Sequence, residues 1–508
     1  MTSAQVCIMI SIVVYLLSVL LIGIVYAKKT KNVGDFYLGG RKLGPIVTAM
    51  SAEASDMSSY LLMGLPGLAY LSGCAEVGWT VIGLAVGTYL NWLIVAKKLR
   101  NYSAHIGAIT IPDYFSLRYK DDKKILMALA ALIIIIFFVP YTASGFSACG
   151  KLFGTLFGID YHIAMIVSAI IIVGYTSLGG FNAASVTDLI QSIIMTAALV
   201  IVLIFGVSKA GGIDAVMNNA HQLNGYLDLF AVHHDEGNTS TAFSTISVFS
   251  TLAWGLGYFG MPHILLRFMA IENPNKIKIS RRVASVWVVI SMFIAIAIGI
   301  VGRGMVANGA IEHFKDSETI IIQISNALSQ EGIVPALIAG VILAGILAST
   351  MSTSDSQLLA ASSSASENLL GGLFKLDLSE TAKMIVARLT LVIISVIGVV
   401  IAWDSNSSVF GIVSFAWAGF GAAFGPVVLL SLFWKRSNKY GAIAGIFAGG
   451  AMVFIWKFVI AGLSPIFNIY ELLPAFLTGL AVNVIVSLCT KAPDEDIVKA
   501  FEEVKKIK

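Results

Sequence analysis

Thirteen runs of about twenty mostly apolar residues follow one another along this chain, and no other feature restricts its fold as much. They cover residues 4–27, 44–73, 77–96, 125–149, 161–182, 186–208, 243–266, 283–307, 333–365, 383–402, 408–434, 440–461 and 470–489. Each is about the length at which a helix crosses the roughly 30 Å hydrocarbon core of a bilayer. With 57% of its 508 residues hydrophobic and 12% charged, the chain has too little polar surface to hide these runs in a water-soluble core. A membrane β-barrel would instead show strands of about ten residues with alternating polarity. The expected fold is an all-α polytopic membrane protein with about 13 transmembrane helices.

Thirteen crossings put the termini on opposite sides, and the basic residues decide which. One set of loops holds Lys28, Lys29, Lys31, Arg41 and Lys42, then Lys97, Lys98, Arg100, Arg118, Lys120, Lys123 and Lys124. It continues with Arg267, Lys276, Lys278, Arg281 and Arg282, then Lys375, Lys383 and Arg388. Lys435, Arg436, Lys439, Lys491, Lys499, Lys505, Lys506 and Lys508 complete it, so 28 of the 33 basic residues share one side. Lys151, Lys209, Arg303, Lys315 and Lys457 are left for the other. The positive-inside rule then places the N-terminus outside and the C-terminal tail in the cytoplasm of a multi-pass cell-membrane protein. So uneven a split supports the span count, since one missed crossing would invert every later loop.

The remaining segments exclude more than they suggest. The net charge of +4 is small and gives no sign of nucleic-acid binding. Cys7, Cys74, Cys149 and Cys489 have no metal-ligand spacing and read as helix filler. The start, MTSAQVCIMI, lacks the basic segment of a signal peptide, so the first run is expected to stay as a helix. The outside segment 209–242 carries HHDEGNTST and is long enough for a short surface helix. The tail PDEDIVKAFEEVKKIK mixes charges at helical spacing and reads as a solvated cytoplasmic helix.

Residues 51–67, SAEASDMSSYLLMGLPG, break the rule that such runs are apolar. A carboxylate at mid-bilayer costs about 2.5–3.5 kcal/mol on insertion scales, and Glu53 and Asp56 both sit here. Small polar residues followed by Gly64, Pro66 and Gly67 predict a helix that unwinds part way. Unwound backbone survives at membrane depth only where it lines a cavity, and its free carbonyls suit a hard cation. Packing of small residues between helices is the plainer reading, and the two acids argue against it.

A second polar stripe lies in 333–365. Ser349, Ser352, Thr353 and Ser356 share one helical face and supply neutral oxygens able to coordinate Na⁺ or Li⁺. One such hydroxyl commonly bonds back to its own helix; four in a row are less simply explained. Asp355 lies about 200° round the helix from Thr353 and points to another surface. The third feature is WGLGYFGMPH, Trp254–His263, where Gly255, Gly257, Gly260 and Pro262 predict another broken helix. Trp254 and Tyr258, one turn apart, can wall a small-ligand pocket or pack as a pair, and His263 reads as structural.

Two interrupted helices five spans apart, the second and the seventh, form the pattern of an inverted-repeat transporter. Residues 44–208 and 243–434 would be the two halves of one transporter domain. Residues 1–43 lead in, 440–490 form two trailing helices, and 491–508 form the tail. Arg303 and Lys457, near span ends, are expected to snorkel. Asp188, opening the sixth span, suits a helix N-terminus.

At these motifs the chain resembles the sodium/solute symporter family, at its proline-carrying branch. The matching stretches run nearly end to end: YLGGRKLGP (37–45), ASDMSSYLLMGLPG (54–67), TIPDYFSLRY (110–119), WGLGYFGMPHILLRFMA (254–270) and SFAWAGFGAAFGPVVLLSLFWKR (414–436). The resemblance implies a five-plus-five inverted-repeat, LeuT-like core, with one helix before it and two after. It implies one co-transported Na⁺ held by the carbonyls of Ala54, Met57 and Ser349 and the hydroxyls of Ser352 and Thr353, with Asp56 adjacent. The implied substrate pocket comprises Ser55, Ser58, Ser59, Tyr141, Trp254, Gly257, Tyr258, Met261 and Pro262. The pattern of proline carriers has Gly at Glu53, Gly at Ser59, Trp at Tyr60, Gln at Met261 and Ser at Asp355. Glu53 and Asp355 thus become candidates for an extra ion or proton.

The expected activity is secondary active symport of Na⁺ and a small amino acid, L-proline by resemblance, through alternating access. One charge moving inward down about 100 mV with a tenfold Na⁺ gradient supplies ~3.7 kcal/mol, enough for roughly 500-fold accumulation. The alternatives are another amino acid, a cationic one included, or another organic solute on the same fold. A channel would want symmetric pore rings, and the polar segments here form a single asymmetric site. No HExxH or GxSxG is present, and an enzyme is not expected.

Overall fold

Each apolar run closes its backbone hydrogen bonds locally, and the polar residues between the runs mark where the helices start. The computed structural model describes residues 2–27, 33–373 and 379–507. Lys28, Lys29, Lys31, Lys375 and Lys508 of the basic loops lie outside the described residues. Asp160, Ser244, Ser379, Ser408 and Asn438 each cap a helix by accepting from a backbone N–H two or three residues on.

In chain order, α1 (Ser3–Ala27) and the short α2 (Val33–Leu38) precede a split second run. There α3 (Pro45–Asp56) stops at Met57, and after a π turn at Tyr60–Gly64 the chain resumes as α4 (Leu65–Ser72). The third run is α5 (Cys74–Leu90), a π turn at Asn91–Val95, and α6 (Ala96–His105). The short α7 (Ile111–Arg118) leads to α8 (Ile125–Phe157). The fifth and sixth runs share α9 (Tyr161–Lys209), which bends at Gly180, where φ is 63°.

The loop that follows carries α10 (Ile213–Gln222) and a hairpin of β1 (Ala231–His234) with β2 (Thr239–Ala242). The seventh run is split into α11 (Thr245–Leu252), a 3₁₀ segment Ala253–Phe259, and α12 (Pro262–Ala270). Then come α13 (Ile277–Ala307), the short α14 (Ile320–Ser329), α15 (Ile333–Ser363), α16 (Glu380–Ile401) and α17 (Val409–Phe433). The chain ends with α18 (Lys439–Ile455), α19 (Leu472–Cys489) and α20 (Glu495–Lys506).

Among the described residues, ten stretches are long and apolar enough to cross a membrane. The other three expected runs are the two split helices and the shorter Tyr161–Gly174 ahead of the Gly180 bend. In its most apolar window α17 is 83% buried, whereas α1, α16 and α18 are 28% buried; α1 and α16 present leucine, isoleucine and valine outward, and α18 presents Phe447, Phe454 and Ile455. So large an apolar exterior suits lipid rather than water.

Three expectations change. The all-α chain carries a two-stranded hairpin, placed in the loop where a surface helix was expected; that helix is present as well. Arg303 pairs with Asp235, and Lys457 with Glu471 at 3.1 Å, so each cation has an acidic partner. The tail helix α20 is docked rather than freely solvated. Ile497, Phe501 and Val504 are buried, while Asp496 pairs with Lys120 at 2.6 Å, Glu503 with His105 at 3.5 Å and Glu502 with Lys435 at 4.0 Å. The Lys120 ammonium holds the Asp496 carboxyl below its usual range. Sequence alone showed the mixed charge of this helix but not the basic loops that receive it.

The third span approaches the broken seventh helix backbone to backbone. A Cβ on Gly83 would strike the Leu252 carbonyl, and one on Gly87 would strike the Gly255 backbone. Gly87→Ala is therefore expected to destabilise the protein by about 1–3 kcal/mol. Gly174→Ala, whose Cβ would meet nothing within 4 Å, is the control. Thermal unfolding in detergent reads both; an unchanged midpoint for Gly87→Ala would contradict this packing.

Candidate functional site

α3 ends within the run 55–59, whose short polar side chains compete with the helix for backbone hydrogen bonds. Met57 leaves the helical conformation at ψ 32°, with its N–H still bonded to the Glu53 carbonyl. The Ser58 hydroxyl then accepts from the Tyr60 N–H at 3.2 Å, a local bond that competes with the helix ladder. The break leaves carbonyls of the last turn of α3 without helical partners, and α15 lies alongside.

The hydroxyl stripe of α15 meets this break. Ser352 Oγ is 2.7 Å from the Ala54 carbonyl oxygen and 3.1 Å from that of Ser349. Thr353 Oγ1 is buried with no hydrogen-bond partner, and so is Asp56 Oδ1. Ser349 Oγ bonds back to Ile346 and Ser356 Oγ back to Ser352, so part of the stripe does satisfy its own helix. Among the described residues, no group of three or more His, Cys, Asp or Glu side chains could hold a metal ion. What the break and the stripe bring together is a set of neutral oxygens, the ligand type a hard monovalent cation takes.

Asp56 joins this set to an aromatic pocket. Its Oδ2 accepts from the Tyr258 hydroxyl at 2.6 Å, and the Tyr141 hydroxyl reaches its backbone carbonyl at 3.4 Å. Tyr141 follows Pro140, a proline inside α8. Asp56, Met57, Tyr60, Tyr141, Trp254 and Trp417 line a cavity of about 10 Å³, closed by Leu84, Met292 and Val413. That holds about one water, so an amino acid enters only after the walls move. Trp254 stacks on Tyr60 at 5.7 Å and on Tyr470 at 4.8 Å. Gly257 lets Trp417 lie against the 3₁₀ segment, where its indole donates to the Trp254 carbonyl at 2.8 Å.

Glu53 turns away from the hydroxyl stripe. Its Oε1 accepts from Trp92 Nε1 at 2.9 Å and from Thr88 Oγ1 at 3.3 Å, while Oε2 has no partner. The π turn at Asn91–Val95 presents both Trp92 and Asn91 to the core, and Asn91 donates to the Tyr258 carbonyl at 2.9 Å. One widened turn thus ties the third span to both broken helices.

Toward the Pro45 end of α3, the site is shut by a buried ionic cluster. Arg267 of α12 bonds Asp188 of α9 at 3.1 Å, Ser51 at 2.9 Å and Ser356 at 2.5 Å. Asp188 also accepts from Ser51 at 2.6 Å and Ser55 at 3.2 Å, and Ser55 meets Ser356 at 2.9 Å. Asp355 adjoins this cluster through Ser356, and its Oδ2 has no partner. At the other end, Glu318 takes Lys151 at 2.8 Å and the N–H groups of Val409 and Phe410 at 3.0 Å. Phe410 in turn packs on Tyr60 and Trp254, between the small pocket and a cavity of about 370 Å³ lined by Gly64, Lys151 and Glu318.

The expected residues therefore divide. Ala54, Asp56, Ser349, Ser352 and Thr353 gather at the break, and Met57 lines the pocket beside them. Tyr141, Trp254, Gly257 and Tyr258 surround the pocket. Ser55 belongs with Asp188 and Arg267 instead. Ser59 is fully buried with an unpartnered hydroxyl, Met261 is buried ahead of α12, and Pro262 starts that helix. Asp188, expected at a helix N-terminus, lies inside α9 because that helix starts its turn earlier, at Gly180. Sequence reasoning missed Arg267 as its partner. The available signal was one acid and one base, each inside an otherwise apolar run.

Comparisons with known proteins bear on the family and the fold. A family model for the sodium:solute symporter family matches residues 36–449. The chain is 42% identical over 491 residues to a high-affinity proline transporter, PutP, of Bacillus subtilis, covering 95% of this chain and 98% of that protein. It is 40% identical over 505 residues to a sodium/proline symporter of Haemophilus influenzae, covering 98% and 97%. A solved Na⁺-coupled sialic acid symporter in an outward-open state is similar in structure, with TM-score 0.79 at 20% identity over 96% of this chain and 99% of that one. This last likeness is one of fold, and the LeuT-like fold with discontinuous second and seventh helices is the one expected from the sequence.

The Arg267–Asp188 pair is fully buried. Arg267→Gln leaves Asp188 an unpaired buried charge and is expected to cost about 3–5 kcal/mol of stability. Adding Asp188→Asn should recover much of that loss. Unfolding midpoints of the two single variants and the double variant check this; additive losses would mean that the pair does not act as a unit.

Proposed function

The chain belongs to the sodium:solute symporter family, and from that premise we propose that it imports L-proline together with Na⁺ by alternating access. Its N-terminus would lie outside and its tail in the cytoplasm, with thirteen crossings arranged as one leading helix, repeats at 44–208 and 243–434, and two trailing helices. The observation that carries the reading is the Ser352 hydroxyl set between the Ala54 and Ser349 carbonyls at the break of the second helix. Sodium would displace that hydroxyl's hydrogen bonds, taking both carbonyls with Ser352 Oγ, Thr353 Oγ1 and the Met57 carbonyl. Asp56 beside it supplies the compensating charge and holds Tyr258. Bound sodium thereby fixes the pocket wall that receives the substrate, and the substrate favours sodium by the same free energy.

The pocket's aromatic walls, Tyr60, Tyr141, Trp254 and Trp417, suit a compact apolar ring, and the Asp56 carboxylate suits a secondary ammonium. Proline carries both. Its entry from outside would require the Tyr60–Trp254–Phe410 stack to part, and its release inside would require the Arg267 cluster to open. Glu53 and Asp355 each keep one buried oxygen without a partner, which supports a further cation riding with the substrate.

Labelled proline uptake into proteoliposomes tests the reading. Uptake should require an inward Na⁺ gradient, and Ser352→Ala should raise the Na⁺ concentration for half-maximal uptake about tenfold, the loss of one ligand interaction of about 1.4 kcal/mol. Sodium-independent uptake would refute the coupling. Failure of proline to compete against other amino acids would move the cargo to another solute. Glu53→Gln and Asp355→Asn should alter the ion dependence; unchanged dependence would assign both to packing.

A further inference from the structure

A groove of about 570 Å³ lies between the junction of α5 with α6, the end of α17 and the docked tail helix α20. Its composition changes along its length. Leu93 and Phe433, 43% and 44% exposed, stand at its mouth at the ends of two apolar spans. One turn further along the third span, about 6 Å, come Lys97 and Lys98, and Lys505 of α20 completes the lining. Three ammonium groups line the groove and no Asp or Glu does.

The nearby acids are engaged elsewhere. Asp496 pairs with Lys120, Glu502 with Lys435 and Glu503 with His105. Lys97 donates to the neutral amide of Asn275 at 2.9 Å, and the Lys98 ammonium lies 3.8 Å from the centre of the Phe433 ring. The groove therefore concentrates positive charge beside an apolar wall that includes the exposed Leu93 and Phe433. An anion with an apolar continuation complements both parts. A soluble anion would leave the apolar wall unused, and a zwitterionic headgroup would bring its own cation toward the lysines.

We propose that this groove binds one anionic diacyl phospholipid, with its phosphate between Lys98 and Lys505 and an acyl chain along Leu93 and Phe433. The lipid would join α20 to the third and eleventh spans, so that the tail helix is held by membrane composition as well as by its ion pairs. The inference rests on the orientation proposed above, which sets the groove at the cytoplasmic leaflet, where anionic lipid attracts basic groups.

Native mass spectrometry of the purified full chain tests it, with phosphatidylglycerol and phosphatidylcholine of the same acyl chains. The protein should retain phosphatidylglycerol in preference. Lys98→Gln with Lys505→Gln should lower that preference about 30-fold at low ionic strength. Lys123→Gln with Lys499→Gln, outside the groove, should leave it in place. Unfolding midpoints confirm that each variant is folded. Equal retention of the two lipids, an undiminished preference in the Lys98/Lys505 variant, or equally tight binding of inorganic phosphate would each overturn the site. Cleavage of the tail by external protease in right-side-out vesicles would overturn the orientation, a result separate from the lipid readout.

Discussion

The interruption of the second helix at Met57 is the constraint on which the rest of the site depends. A continuous helix would spend the Ala54 carbonyl on its own ladder. The break frees it for α15, and the Ser352 hydroxyl meets it at 2.7 Å. The same break turns Asp56 toward Tyr258 of the seventh helix, which is itself broken. Because the two interruptions face each other through one hydrogen bond, a change at the break beside Ala54 and Ser352 is felt directly by the aromatic wall. A regular helix pair could pack as tightly, but its backbone would have nothing to offer an ion.

The two ends of the site are closed by different physics. Toward the Pro45 end, the closure is ionic and fully desolvated, built on Arg267 and Asp188 with three serine hydroxyls around them. Breaking such a pair without hydrating both partners leaves bare charge, so this end should open only when water can enter. Toward the Ser72 end, the closure is aromatic, Tyr60, Trp254 and Phe410, with Glu318 fixing Phe410 through the start of α17. Aromatic contacts are less directional than a hydrogen-bonded ion cluster and can slide as rings rotate. A site closed at both ends around a cavity of about 10 Å³ is suited to being opened one end at a time.

Much of this was legible in the sequence because membrane segments carry little ambiguity. Length and hydropathy place the runs, and glycine with proline marks the break of the seventh helix; that of the second comes earlier than Gly64, Pro66 and Gly67 suggested, at Met57 within the polar run 55–59. Hydroxyl spacing on α15 put Ser349, Ser352, Thr353 and Ser356 on one face, since helical period alone decides that; its meeting with Ala54 came from the resemblance. The partners of Asp188 and Glu53 were not legible. Both are decided by contacts between helices far apart in sequence: Arg267 with Asp188, and Trp92 with Glu53. Trp92 reaches its partner through a π turn, which has no strong sequence signature. The docking of α20 was hidden for a related reason, because its amphipathic pattern fits a solvated helix equally well until the basic loops are folded beside it. The bonds of Ser55 to Asp188 and Ser356 were not legible either, because neighbours in sequence on a helix face different partners.

The charge placed around the broken second helix gives the coupling its direction. Glu53, Asp56, Asp188 and Asp355 are all buried there, and among the described residues one guanidinium, Arg267, is bonded into the group. Arg267 is committed to the closed end, where it meets the hydroxyl stripe at its last member, Ser356, and has no bond to Ser349, Ser352 or Thr353. The electrostatic deficit therefore falls at Asp56, beside the neutral oxygens. A monovalent cation arriving there lowers the field that the low-dielectric interior would otherwise amplify. A neutral zwitterion such as proline cannot do this alone, since its two charges nearly cancel at a distance. With sodium at the site proposed above, the buried charges favour ion first and substrate second, and transport without sodium becomes the unfavourable path.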